Sequence, residues 1–95
     1  MNLAKLADVF DKLDEFEMDS TDLYVIGQYK RAKERGEVTI MNLVNSSKLS
    51  RTLMHRRVKR LIKLEVLAKE EHGTDMRFKT LTDGRTMKVI EDLLN

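Results

Sequence analysis

A mainly α-helical α+β fold carrying one small β-hairpin is what three features of this chain predict. Apolar residues recur at three- and four-residue steps in several separate segments, and a short polar turn divides two of those segments. Two brief β-favouring stretches then flank a glycine-containing loop near the end. The 95 residues fit one domain, 1–95, because a single core of this size buries enough apolar surface for marginal stability. An apolar fraction of 41% is too high for a disordered chain, so a folded domain is expected. Without cysteine there is neither a disulfide framework nor a thiolate zinc site, and the fold must rest on packing. The opening "MNLAKLADVFDKLDEF" carries acids throughout and lacks the apolar centre of a signal peptide, and no later stretch approaches a membrane span. A cytoplasmic protein with no membrane partner is expected.

Taken in order, Leu3, Leu6, Phe10 and Leu13 form the stripe of an amphipathic helix, widened by Ala7, Val9 and Phe16. A second helix is predicted over about Thr21 to Arg35, with Asp19 or Ser20 as its cap, basic residues in its last turn, and Gly36 where a left-handed C-cap falls. "EVTIMNLV" reads as a very short strand leading into a short third helix capped by Thr39. "NSSKLS" is a turn, because its side chains bond their own backbone, and Ser50 is placed to cap the helix that follows. "VLAKEE" and "RFKTL" then form a hairpin around "HGTDM", and Thr82 is placed to cap a terminal helix with Met87, Ile90 and Leu94 on one face. This is the element order of a winged helix-turn-helix domain.

The net charge of +2 conceals an asymmetry. Residues 1–22 hold seven acids against Lys5 and Lys12, whereas residues 46–64 hold seven bases and no acid. Within "SRTLMHRRVKRLIK", at 100° per residue, Met54, Val58, Leu61 and Ile62 fall between about 80° and 180°, while Thr52, Arg56, Lys59 and Lys63 fall between about 240° and 300°. One face can enter the core while the other projects cations together, which is the geometry of a recognition helix in a major groove. Arg60 and His55 flank that face. A merely solvated helix generally mixes signs at i,i+4, and within its own segment this one has only like-charged neighbours. Double-stranded DNA is therefore the expected partner.

"KLSRTLMHRRVKRLIKLEVLAKEEHGTDMRFKTLTDG" resembles the DNA-binding core of the MarR family of winged-helix transcription regulators. The likeness covers about residues 37–85. Leu49, Ser50 and Thr52 match the start of that family's recognition helix, Arg60 and Leu61 its last turns, Asp75 and Arg77 the Asp-x-Arg element of its wing, and Leu81, Thr82 and Gly84 the segment after it. Glu65 stands where the family usually has glycine, Arg57 where an apolar residue is common, and the chain is short beside its members. From the residues alone, Asp75 and Arg77 read equally as an aspartate holding an arginine for the minor groove and as an ordinary turn with an exposed arginine. The resemblance favours the first.

The expected duplex-contacting set is thus Thr52, His55, Arg56 and Lys59 in the major groove, Asp75 and Arg77 at the minor groove, and Lys48, Arg51, Lys63 and Lys79 on phosphate, with Ser50 as the cap. A homodimer is expected, with residues 1–17 and 82–95 as its helices and Leu3, Leu6, Phe10, Leu13, Met87, Ile90 and Leu94 as its apolar face, because two recognition helices about 34 Å apart gain specificity. The alternative is a winged-helix module whose basic face docks an acidic protein, and RNA binding is disfavoured by the lack of an aromatic platform. His55 and His72 belong to no metal-binding spacing, and no phosphate loop or catalytic constellation is present. Neither a cofactor nor an enzymatic activity is expected.

Overall fold

In a computed structural model, which describes residues 2–70 and 79–94, the chain is mainly helical with a small antiparallel sheet. The described elements are α1 (Leu3–Glu15), α2 (Ser20–Lys33), β1 (Val38–Thr39), α3 (Ile40–Ser46), α4 (Arg51–Lys63), β2 (Leu67–Lys69), β3 (Thr80–Asp83) and α5 (Met87–Leu94).

Side-chain caps start four of the helices. Asn2 accepts the Lys5 N–H at 2.7 Å for α1, and Ser50 accepts the Leu53 N–H at 3.2 Å for α4. Reciprocal capping boxes join Asp19 to Asp22 at α2 and Thr39 to Asn42 at α3. The α2 helix therefore begins at Ser20, slightly before its expected start, and it ends at Lys33, with Gly36 at φ +139° turning the chain toward β1.

The ends of α1 and α4 close in the same way. Glu17 and Glu65 both adopt left-handed backbone, at φ 60° and 62°. The Met18 N–H reaches back to the Leu13 carbonyl and the Val66 N–H to the Leu61 carbonyl, each completing a Schellman turn. A non-glycine residue is disfavoured there by about 1–2 kcal/mol because Cβ crowds the carbonyl oxygen. Glu17→Gly is expected to stabilise the fold by about 0.5–1 kcal/mol, read as a higher urea midpoint. Glu65→Gly should gain less, since Glu65 also pairs with Arg85 across a largely exposed contact.

The sheet order is β1-β3-β2, all antiparallel, with Val38 opposite Leu81 and Ala68 opposite Thr82. Thr82 is thus a strand residue and does not cap α5. The chain cannot leave the strand earlier because Gly84 is pinned against the end of α4. Its N–H donates to the Val66 carbonyl at 2.9 Å, the Thr86 N–H donates to the Glu65 carbonyl at 2.9 Å, and α5 begins only afterwards.

The core lies where α2, α3 and α4 meet, with the sheet and the α1/α5 pair closing its sides. Leu13 of α1 and Met87 and Ile90 of α5 are fully buried within this chain, so they are not available as a dimer face. The physical reason is that α1 packs on α5 in the same molecule, and each stripe divides into an inward and an outward half. Leu3 (84% exposed), Phe10 (39%) and Val89 (46%) point outward, while Leu6 and Leu94 are half-buried.

Candidate nucleic-acid interface

The α4 helix separates its faces as its periodicity requires. Met54, Val58 and Leu61 are fully buried, which fixes the rotation of the helix about its axis. Arg51, Thr52, Arg56, Lys59, Arg60 and Lys63 are exposed as a consequence, and His55 is half-buried beside them. The turn before α4 is held by the Tyr24 hydroxyl, which accepts the Lys48 N–H at 3.1 Å, and the Leu49 N–H donates to Ser47 Oγ at 3.2 Å. Helices α3 and α4 are thereby set against each other around Leu43, Met54 and Val58.

Two of the α4 cations do have acidic partners, contrary to the picture of a helix with only repelling neighbours. Arg57 Nη1 lies 2.8 Å from Asp19 Oδ2 and 3.2 Å from Asp22 Oδ1, and Arg60 Nε lies 3.4 Å from Asp22 Oδ2. Asp22 is completely buried. Its carboxylate serves the N-terminus of α2 and both guanidiniums at once, a charge that is affordable in the interior only because it is paired and hydrogen-bonded. The Asp22 N–H donating to Asp19, reinforced by Arg57, outweighs desolvation and holds the Asp19 carboxyl below its usual range. The bond to Asp19, followed by that to Asp22, raises the Arg57 guanidinium in turn. The sequence carried one signal of this clamp, a charged Arg57 where an apolar residue is common.

The remaining cations of the expected set stay open. Arg51, Arg56, Lys59, Lys63 and Lys48 make no ion pair with any described residue. Lys79, half-buried, precedes β3, and because Thr39 pairs with Thr80 the start of β3 lies beside the N-terminus of α3. Asp75 and Arg77 lie outside the described residues.

A second polar cluster, absent from the expected site residues, joins α2 to β3 and α5. The buried Tyr29 hydroxyl donates to Asp83 Oδ1 at 2.7 Å, Lys33 and Lys30 reach Asp83 at 3.0 and 3.3 Å, and Lys30 also pairs with Glu91. Burial, followed by the bond to Asp83, pushes the Tyr29 hydroxyl pKa well up. Burial opposes ionisation of Asp83 too, but the Tyr29, Lys33 and Lys30 donors together outweigh it and leave its pKa lowered. For Asp19 and Asp83 the folded value lies below the unfolded one, so their contribution is present above the unfolded carboxylate pKa of about 4 and is lost as pH falls through the folded value. The urea midpoint should therefore drop below about pH 4, and Asp83→Asn should flatten that drop.

Among the described residues no group of three or more His, Asp or Glu side chains could hold a metal ion, and no helix is long and apolar enough to cross a membrane. No protein-family model, curated protein or solved structure matches the chain.

Proposed function

We propose that this chain is a winged helix-turn-helix protein of MarR-like type, binding double-stranded DNA sequence-specifically as a cytoplasmic homodimer and regulating transcription by occupancy. The observation that carries the reading is the outward face of α4, where Arg56, Lys59 and Lys63 are exposed without an acidic partner among the described residues. In this reading α3 and α4 are the helix-turn-helix, β2 and β3 are the wing, and Arg57 and Arg60 are set aside for the Asp19/Asp22 clamp. Lys48, Arg51, Arg56, Lys59, Lys63 and Lys79 remain as duplex contacts, with Thr52 and His55 at base edges and Arg77 at the minor groove. The exposed Leu3 and Phe10 of α1, with Val89 on α5, support a dimer through the outward half of that helix pair.

Fluorescence anisotropy of a labelled random duplex tests the reading. With roughly six phosphates neutralised, affinity should fall about a thousandfold between 50 and 200 mM salt. In Arg56→Ala/Lys59→Ala the slope of log affinity against log salt should shrink by about 2. A wild-type protein that leaves the duplex free even at low salt would remove the reading's main support and point to an acidic protein partner instead.

A further inference from the structure

A cleft of about 530 Å³ opens between the C-terminal half of α2 and the exposed side of α3, lined among others by Gln28, Arg31, Arg35, Glu37, Asn42 and Asn45. None of the expected duplex-contacting residues lines it. We infer that this cleft is a binding site for a small phosphorylated polyol, of the sugar-phosphate or mononucleotide class.

Three observations lead there. The first concerns charge: Arg31 in the last turn of α2 and Arg35 just beyond it are exposed, and neither pairs with an acid among the described residues. The carboxyl end of a helix by itself favours cations. Here, however, the Arg35 and Gly36 N–H groups return to the Ala32 and Lys33 carbonyls, so the two guanidiniums set the sign of the cleft. Two planar guanidiniums lining one cleft offer forked donors of the kind that match a phosphate.

The second is Gln28. It is only 8% exposed, yet its side chain has no hydrogen-bond partner among the described residues. Among the described residues no fully enclosed side-chain nitrogen or oxygen is left unpaired, so the polar atoms of Gln28 keep some exposure, and Gln28 lines the cleft. A largely buried side chain whose amide donor and acceptor remain free and accessible can bond the hydroxyl groups of a ligand seated in the cleft. The third is the opposite wall. Asn42 spends its oxygen on the Thr39 N–H and hydroxyl, at 2.8 and 3.0 Å, which leaves its NH₂ free to donate, and Asn45 stands one turn on. Glu37 on the rim is an acceptor suited to a hydroxyl and reduces the net charge of the lining to +1, which suits a phosphomonoester better than a polyphosphate. The volume lies within the range of small-molecule sites and is much larger than a bare phosphate fills.

The test is an amide-resonance titration of the intact chain with ribose 5-phosphate, inorganic phosphate and ribose at matched ionic strength. Ribose 5-phosphate should shift the Ala32, Asn42 and Asn45 amides saturably and bind at least about tenfold tighter than either fragment, because both halves of the site are engaged. Arg31→Ala/Arg35→Ala should weaken it by about tenfold or more, and Gln28→Met, close in shape, should weaken it severalfold with the urea midpoint retained. The double arginine variant should bind the labelled duplex as the wild type does. The inference is overturned by an absence of saturation, by inorganic phosphate binding as well as ribose 5-phosphate, or by indifference to the arginines. A loss of duplex affinity matching that of Arg56→Ala/Lys59→Ala would likewise overturn it, by assigning Arg31 and Arg35 to the duplex face.

Discussion

Asp22→Ala is expected to lower stability by about 3 kcal/mol, a large share of the 5–15 kcal/mol typical of a domain. The loss has two sources. Removing the carboxylate breaks the hydrogen bond from the Asp19 N–H that forms half of the α2 capping box, worth about 0.5–2 kcal/mol. It also strips Arg60 of its acidic partner and leaves Arg57 with Asp19 alone. A wholly buried pair would cost about 3–5 kcal/mol to break, but both arginines keep some contact with water and can rehydrate, so the lower end applies. Asp22→Asn, which retains an oxygen for the cap, should fall between the wild type and the alanine variant. Urea unfolding measures all three. A change under about 0.5 kcal/mol in Asp22→Ala would mean that the clamp has no energetic role, since that is the range of an ordinary surface substitution.

Gly84→Ala should be comparably damaging for a steric reason. A Cβ at this position would lie 2.1 Å from the Glu65 carbonyl oxygen and 2.8 Å from the Val66 carbonyl carbon. These are backbone atoms at the end of α4, so no rotamer change relieves the overlap and either the β3–α5 turn or the helix end must move. Overpacking against mobile side chains costs about 1–3 kcal/mol, and a collision with backbone belongs at or above the top of that range. The fingerprint should be local. Thermal unfolding should show a fall in Tm of more than about 10 °C, since 1 kcal/mol is worth roughly 4–8 °C in a domain of this size. Hydrogen exchange should accelerate first at Gly84 and Thr86, whose N–H groups bond to Val66 and Glu65. An unchanged Tm would show that this turn yields freely.

The parts of this fold that were legible in the sequence are those governed by neighbours within four residues. Ser50 and Thr39 cap the helices expected of them, Asp19 rather than Ser20 caps α2, and the alternation of Met54, Val58 and Leu61 with Arg56 and Lys59 matches the burial of α4. What escaped depends on long-range pairing. Asp22 enters the sequence reading only as one of seven acids in residues 1–22 because its partners lie 35 and 38 residues away, and Tyr29 meets Asp83 across 54 residues with no local trace. The expected dimer stripe failed as a unit because periodicity tells which residues share a helix face but not how much of that face the chain's own helices cover. Leu13, Met87 and Ile90 went to the core and Leu3 and Phe10 did not.

The placement of β1 beside β3, rather than beside β2, also orders events in time. Pairing Val38 with Leu81 closes a loop that contains α3, α4 and the whole β2–β3 segment. Closing a loop of that length costs chain entropy, which is recovered only once the residues inside it have already condensed. The two-residue β1 strand is therefore expected to pair late, as a latch. Helices α3 and α4 can associate through contacts close in sequence, and the β1 pairing joins them afterwards, so weakening the latch at Val38 should act mainly by hastening unfolding and leave the folding rate close to that of the parent chain.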